Sequence, residues 1–155
     1  MRREVVGRIA VLAAAACTIA FPVNSHERDG HGHATGVVRE RMVLMEELGK
    51  RMKAINTRIR DKQKLTAIKD DARAIAASAA HIAHLFPPGS TQSPTEAKAA
   101  IWKNFADFEQ KAKALETESA KLAETNAGDF GALSGRVRAV LQACANCHEA
   151  YRLKQ

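Results

Sequence analysis

Aromatic side chains are scarce in this 155-residue chain: one Trp, one Tyr and five Phe make up 5% of it. Sheet cores lean on aromatic and β-branched residues, so this composition argues against a sandwich or barrel. Abundant Ala points instead to closely packed helices. Cysteine is scarce too, at three, which excludes a disulfide-built scaffold. The longest apolar run, residues 9–21, has 13 members. A spanning helix needs about 20. Basic residues exceed acidic ones, for a formal charge of +7. They are spread along the chain without interleaved aromatics, which reads as a solvated face and not as a nucleic-acid surface. The length suits one domain.

What is present begins with an export pattern. Residues 1–25 read as a secretory signal peptide: Arg2, Arg3 and Arg8 precede the apolar core, and small residues follow it. Cleavage after Ser25 is the first choice and after Ala20 the second. Loss of residues 1–25 lowers the formal charge to +5. Ala15-Ala16-Cys17 offers a lesser alternative, a lipid anchor through Cys17, although Ala14 stands where a lipobox usually has Leu. Residues 26–36 are polar and Gly-rich and read as a flexible leader. His31 and His33 within it lack a rigid frame for a metal.

Four apolar stripes with steps of three and four follow. The first is Val38, Met42, Met45, Leu48, Met52, Ile55 and Ile59. The second is Leu65, Ile68, Ala72, Ile75, Ala79, Ile82 and Phe86, stopped by Pro87-Pro88-Gly89. The third is Ile101, Phe105, Phe108, Ala112, Leu115, Ser119 and Leu122. Ser93-Pro94-Thr95-Glu96 has capping-box form ahead of it, and Gly128 is placed to end it in a left-handed cap. The fourth starts near Asp129 and carries Leu133, Val137, Val140, Leu141, Cys144, His148 and Tyr151. No segment reads as a strand. Short joints between four amphipathic helices imply an all-α, antiparallel, up-down-up-down four-helix bundle over residues 37–155. Gly49 interrupts the first helix at a cost of about 1 kcal/mol against Ala, so a close approach by another group is expected there.

The chemistry lies in Cys144-Ala145-Asn146-Cys147-His148. This is C-x-x-C-H, the attachment signature of a c-type haem. Two thiols add to the two vinyl groups of one porphyrin, and the adjacent imidazole reaches the iron. A structural zinc site would need a second ligand pair, and a redox dithiol would need a βαβ setting. Neither is found. His81 and His84, three apart, could form a metal pair, and a haem-free helical bundle using them with the leader histidines is a further possibility. Cys144 and Cys147 argue against it.

The chain resembles the class II c-type cytochromes, the cytochrome c prime family, from about Val37 to Lys154. The motif lies near the C-terminus and continues Glu149-Ala150-Tyr151-Arg152, similar to the family's C-x-x-C-H-x-x-[FY]-R ending. Leu85-Phe86-Pro87, Ile101-Trp102 and Phe108 resemble its low-spin branch. Met45 lies four residues before Gly49 and seven before Met52, the spacing of that branch's ligand Met. The resemblance implies one covalent haem c, periplasmic location, and ligation by His148 and Met45. It also implies propionate contacts from Arg41 and Arg152, and a monomer or homodimer meeting redox partner proteins. On this reading the protein is an electron carrier and not an enzyme. The alternative is a five-coordinate protein of the cytochrome c prime type that binds nitric oxide or carbon monoxide.

Overall fold

The computed structural model describes residues 33–92 and 94–154. Residues 1–25, read as a signal peptide, leader residues 26–32, Ser93 and Gln155 lie outside them. The long helices are α1 (Gly36–Asp61), α2 (Ile68–Ala79), α4 (Phe105–Glu124) and α5 (Phe130–Tyr151), with a single-turn α3 (Ala100–Lys103) before α4. Together they form a four-helix bundle, and no strand occurs among the described residues.

The apolar stripes become the core. Ile55 of α1, Ile68 and Ile75 of α2, Leu122 of α4, and Leu133 and Val140 of α5 are almost wholly buried. Each such side chain contributes about 1.5–3 kcal/mol by leaving water. The α2–α4 and α4–α5 contacts are the most extensive, and α1 packs mainly on α2. Asp71 of α2 accepts from both Arg51 and Arg58 of α1, pinning these two helices in register. Contact between α1 and α5 is slight. That thin seam is where the functional cavity lies.

The joints differ from the sequence expectations in three places. The second stripe is helical only as far as Ala79. Beyond it, Ile82 N–H donates to Ala79 O and Leu85 N–H to Ile82 O, the tighter i to i−3 winding. Residues 94–99 do not begin the third helix. Lys98 N–H donates to Tyr151 O and Leu153 N–H to Glu96 O, so the end of α5 takes up this segment's backbone groups. Glu96 turns its carboxylate to Arg152 Nε at 2.6 Å instead of capping a helix. The helix therefore starts later, and Phe105, assigned to the core stripe, is 37% exposed at the head of α4.

Gly128 is not a left-handed cap. Positive φ occurs at Gly36 and Gly89 and, without glycine, at Lys62 and Lys64. Helix α4 ends instead with the Thr125 hydroxyl on Lys121 O at 2.8 Å, and the Asn126 side chain accepts from Gly128 N–H. Asp129 does cap α5, accepting from Ala132 N–H at 2.9 Å.

Candidate haem site

A cavity of about 790 Å³ opens between α1, α4 and α5. Its size falls in the range of a ligand or cofactor pocket. Helix α5 supplies Cys144, Cys147 and His148. Their spacings of three and four put all three side chains on one helical face. Across the cavity, α1 supplies Arg41, Met45 and Gly49, and α4 supplies Phe108 and Lys111. Arg152 lines it just past the end of α5. All six residues proposed to bind the haem, Arg41, Met45, Cys144, Cys147, His148 and Arg152, thus reach the same cavity.

The electrostatics suit a buried, neutral donor set. Burial, and then the Arg152 charge, lower the His148 pKa, with Glu96 opposing. The shift favours the neutral imidazole, the form that ligates a metal. Burial raises both thiols, Cys147 to about 11. Both cysteines are unbonded to each other.

Three observations fit a haem. Arg41 is 4% exposed, and its Nε and Nη1 have no protein partner. Burial lowers its pKa, and its guanidinium lies 4.3 Å from the Phe86 ring centroid. A buried guanidinium with two unmatched nitrogens calls for an acidic group, which a propionate supplies. Next, no protein atom lies within 4 Å of where a Cβ on Gly49 would stand, although Gly49 lines the cavity. The close approach expected there is not seen; the position is exposed and open, which leaves room beside it for a flat macrocycle. Last, the two thiols and the imidazole have the attachment spacing.

Arg152 is less available than Arg41, because its Nε bonds Glu96. Met45 is half-buried and packed against the core, as are Leu44 and Ile59. Met42 and Met52 also line the cavity, and Met52 is core. His81 and His84 are exposed, with ring centroids 6.3 Å apart, and do not reach the cavity. No cluster of three metal-binding side chains occurs among the described residues. Trp102 ties a loop: its Nε1–H donates to Phe86 O and Pro87 O.

Sequence reasoning missed Asp107, Lys111 and Glu96. Asp107 accepts from the Tyr151 hydroxyl and pairs with Lys111 at 3.5 Å. The i, i+4 spacing of Asp107 and Lys111 was a readable signal. Glu96 had none, since its partner lies 56 residues away.

The profile of the cytochrome C' family matches residues 36–152. The chain belongs to that family. Cytochrome c-556 of Agrobacterium tumefaciens (strain II Chrys) is 32% identical over 123 residues, 77% of this chain and 99% of that one. Cytochrome c' from Rhodopseudomonas palustris superposes with a TM-score of 0.72 at 26% identity, covering 79% of this chain and 99% of that one. The carbon monoxide complex of a cytochrome c prime variant from Alcaligenes xylosoxidans gives 0.68 at 25% identity, covering 76% and 94%. Family and fold bring with them one covalent haem c as the cofactor. In the sequence that cofactor was read from five residues, and the bundle of the cytochrome C' family now surrounds them.

Proposed function

We propose that Cys144 and Cys147 carry the thioethers of the haem, that His148 ligates its iron, and that Arg41, helped by Arg152, meets its propionates. The haem, when bound, would supply an iron able to exchange one electron and to take a small ligand. The protein holds His148 neutral, excludes bulk water with Phe86, Phe108 and Leu115, and neutralises acidic groups through Arg41.

The function supported best is binding of a small gaseous ligand, such as nitric oxide or carbon monoxide, on the side away from His148. One observation carries it. His148 is the only histidine of the cavity lining among the described residues, and Lys111 there is paired with Asp107. The wall on α1 offers apolar groups, Arg41, Glu46 and thioethers, the last being weak acceptors. Kinship with cytochromes c', including neighbours solved with nitric oxide or carbon monoxide, supports this more than it supports the electron carrier put first from sequence.

The second reading is that electron carrier, with Met45 as sixth ligand. Its support is the position of Met45 in the cavity wall, one turn from both Arg41 and Gly49. Met45→Leu separates the two. An unchanged spectrum favours gas binding, whereas conversion from low-spin to a carbon monoxide-sensitive form establishes ligation by Met45.

Neither reading includes a transformed substrate. No described helix is long and apolar enough to cross a membrane. Export through residues 1–25 to the periplasm, with residues 26–36 as a leader and cleavage as the usual fate, fits the site of haem attachment. Redox partner proteins and a monomer or homodimer complete the proposal. A structural neighbour is described as undergoing ligand-controlled dimer dissociation.

A further inference from the structure

Tyr151 is the only tyrosine of the chain. It is 6% exposed, and it lines the cavity one turn beyond His148. Its hydroxyl donates to Asp107 Oδ2, and more distantly to Asn104 O at 3.4 Å. The ring stands edge-on to Phe108, with centroids 5.4 Å apart. A phenol beside a cofactor cavity, with a carboxylate on its proton, has what a one-electron donor needs. Losing an electron makes a phenol strongly acidic, and here the proton has an acceptor already in hydrogen-bond contact. The Asp107 side chain is 51% exposed, so it can pass the proton on to water.

We propose that Tyr151, with Asp107 as proton acceptor, is a one-electron donor to the haem when hydrogen peroxide oxidises it. The proposal rests on the site described above, because the axial side that admits a diatomic gas also admits peroxide. Hydrogen peroxide is reduced by two electrons drawn from the haem: its O–O bond breaks, one oxygen leaves as water, and the second becomes water once the haem is restored, with two protons consumed, one from Tyr151 through Asp107 and one from solvent. Tyr151 returns one electron. Its O–H bond breaks, the proton passes to Asp107 Oδ2, and a neutral tyrosyl radical remains. The other oxidising equivalent stays on the haem until an external one-electron reductant removes it. The role is protective, since it moves a damaging equivalent from the macrocycle to a side chain that reductants can restore.

Trp102 is the built-in rival. Phe108 lies 4.7 Å from Phe86 between ring centroids, and Phe86 lies 6.4 Å from Trp102. The indole, however, donates its N–H to backbone carbonyls, which are poor proton acceptors.

The test is rapid-freeze electron paramagnetic resonance of the haem-loaded ferric protein mixed with hydrogen peroxide. Haem absorption before mixing, recorded with and without carbon monoxide, reports both cofactor loading and access for a small ligand, so failure of the underlying reading shows separately from failure of the Tyr151 proposal. A tyrosyl signal is expected in the natural protein. It should vanish in Tyr151→Phe and fall at least about tenfold in Asp107→Asn, which removes the proton acceptor. Circular dichroism of each variant checks that the bundle is intact. Haem bleaching by peroxide should be faster in Tyr151→Phe. A loaded haem that ignores peroxide overturns the proposal. So does a radical on Trp102, or a tyrosyl yield unchanged in a folded Asp107→Asn protein.

Discussion

Arg41 on α1 donates through Nη2 to the backbone carbonyl of Ser90, 2.9 Å away and 49 residues further along the chain. This bond holds the guanidinium at the cavity while leaving Nε and Nη1 unmatched. A buried cation in that state costs stability until an anion arrives. Arg41→Met should therefore leave the apoprotein within about 1 kcal/mol of the natural chain, and lower holoprotein stability by about 3 kcal/mol through the unpaired propionate. Urea unfolding of both forms measures the difference. Equal losses in the two forms would mean that Arg41 serves the Ser90 loop alone.

Phe108 is 2% exposed and lies between Phe86 and Tyr151, with ring centroids at 4.7 and 5.4 Å. Removing its ring opens a hole in the wall of the haem cavity. Phe108→Ala should cost about 3–5 kcal/mol of stability in thermal or urea unfolding.

Tyr151 carries the clearest pH signature. Its hydrogen bond to Asp107 is the main cause that pushes its pKa up to about 12, with burial second. The folded value exceeds the unfolded one of about 10. The stabilisation is therefore complete below about pH 10 and is lost as pH rises through about 12. Phenolate absorbance of the apoprotein reads this single tyrosine directly. Asp107→Asn should return its midpoint towards 10.

The attachment chemistry predicts a graded result. Cys144→Ser or Cys147→Ser leaves one thioether, and the double variant leaves none. Acid–acetone extraction should free haem from the double variant only. Release from either single variant would mean that the other cysteine does not bond the porphyrin.

The parts of this molecule that rest on local periodicity were readable in the chain. The stripes through Ile55, Ile75, Leu122 and Val140 identify the buried faces, because helical spacing alone decides which side chains share a face. The attachment motif was likewise local. What escaped depends on distant partners. Residues 94–99 carry good helix-start signals, yet the end of α5 competes for their backbone groups. The capping form of Ser93-Pro94-Thr95-Glu96 contains nothing that reports Arg152. The close approach expected at Gly49 is absent, since the position is exposed and faces open space. Asp107 was passed over because a carboxylate near the head of a helix is ordinary. Its importance comes from Tyr151, 44 residues away.

Gas binding, as proposed, would leave a bound haem with a position that a small gas can take. The most direct measurement is the absorption spectrum of the reduced, haem-loaded protein with and without carbon monoxide. A high-spin spectrum that shifts when carbon monoxide is added is the predicted result. Sharp low-spin bands unmoved by carbon monoxide would contradict it and assign the position to Met45.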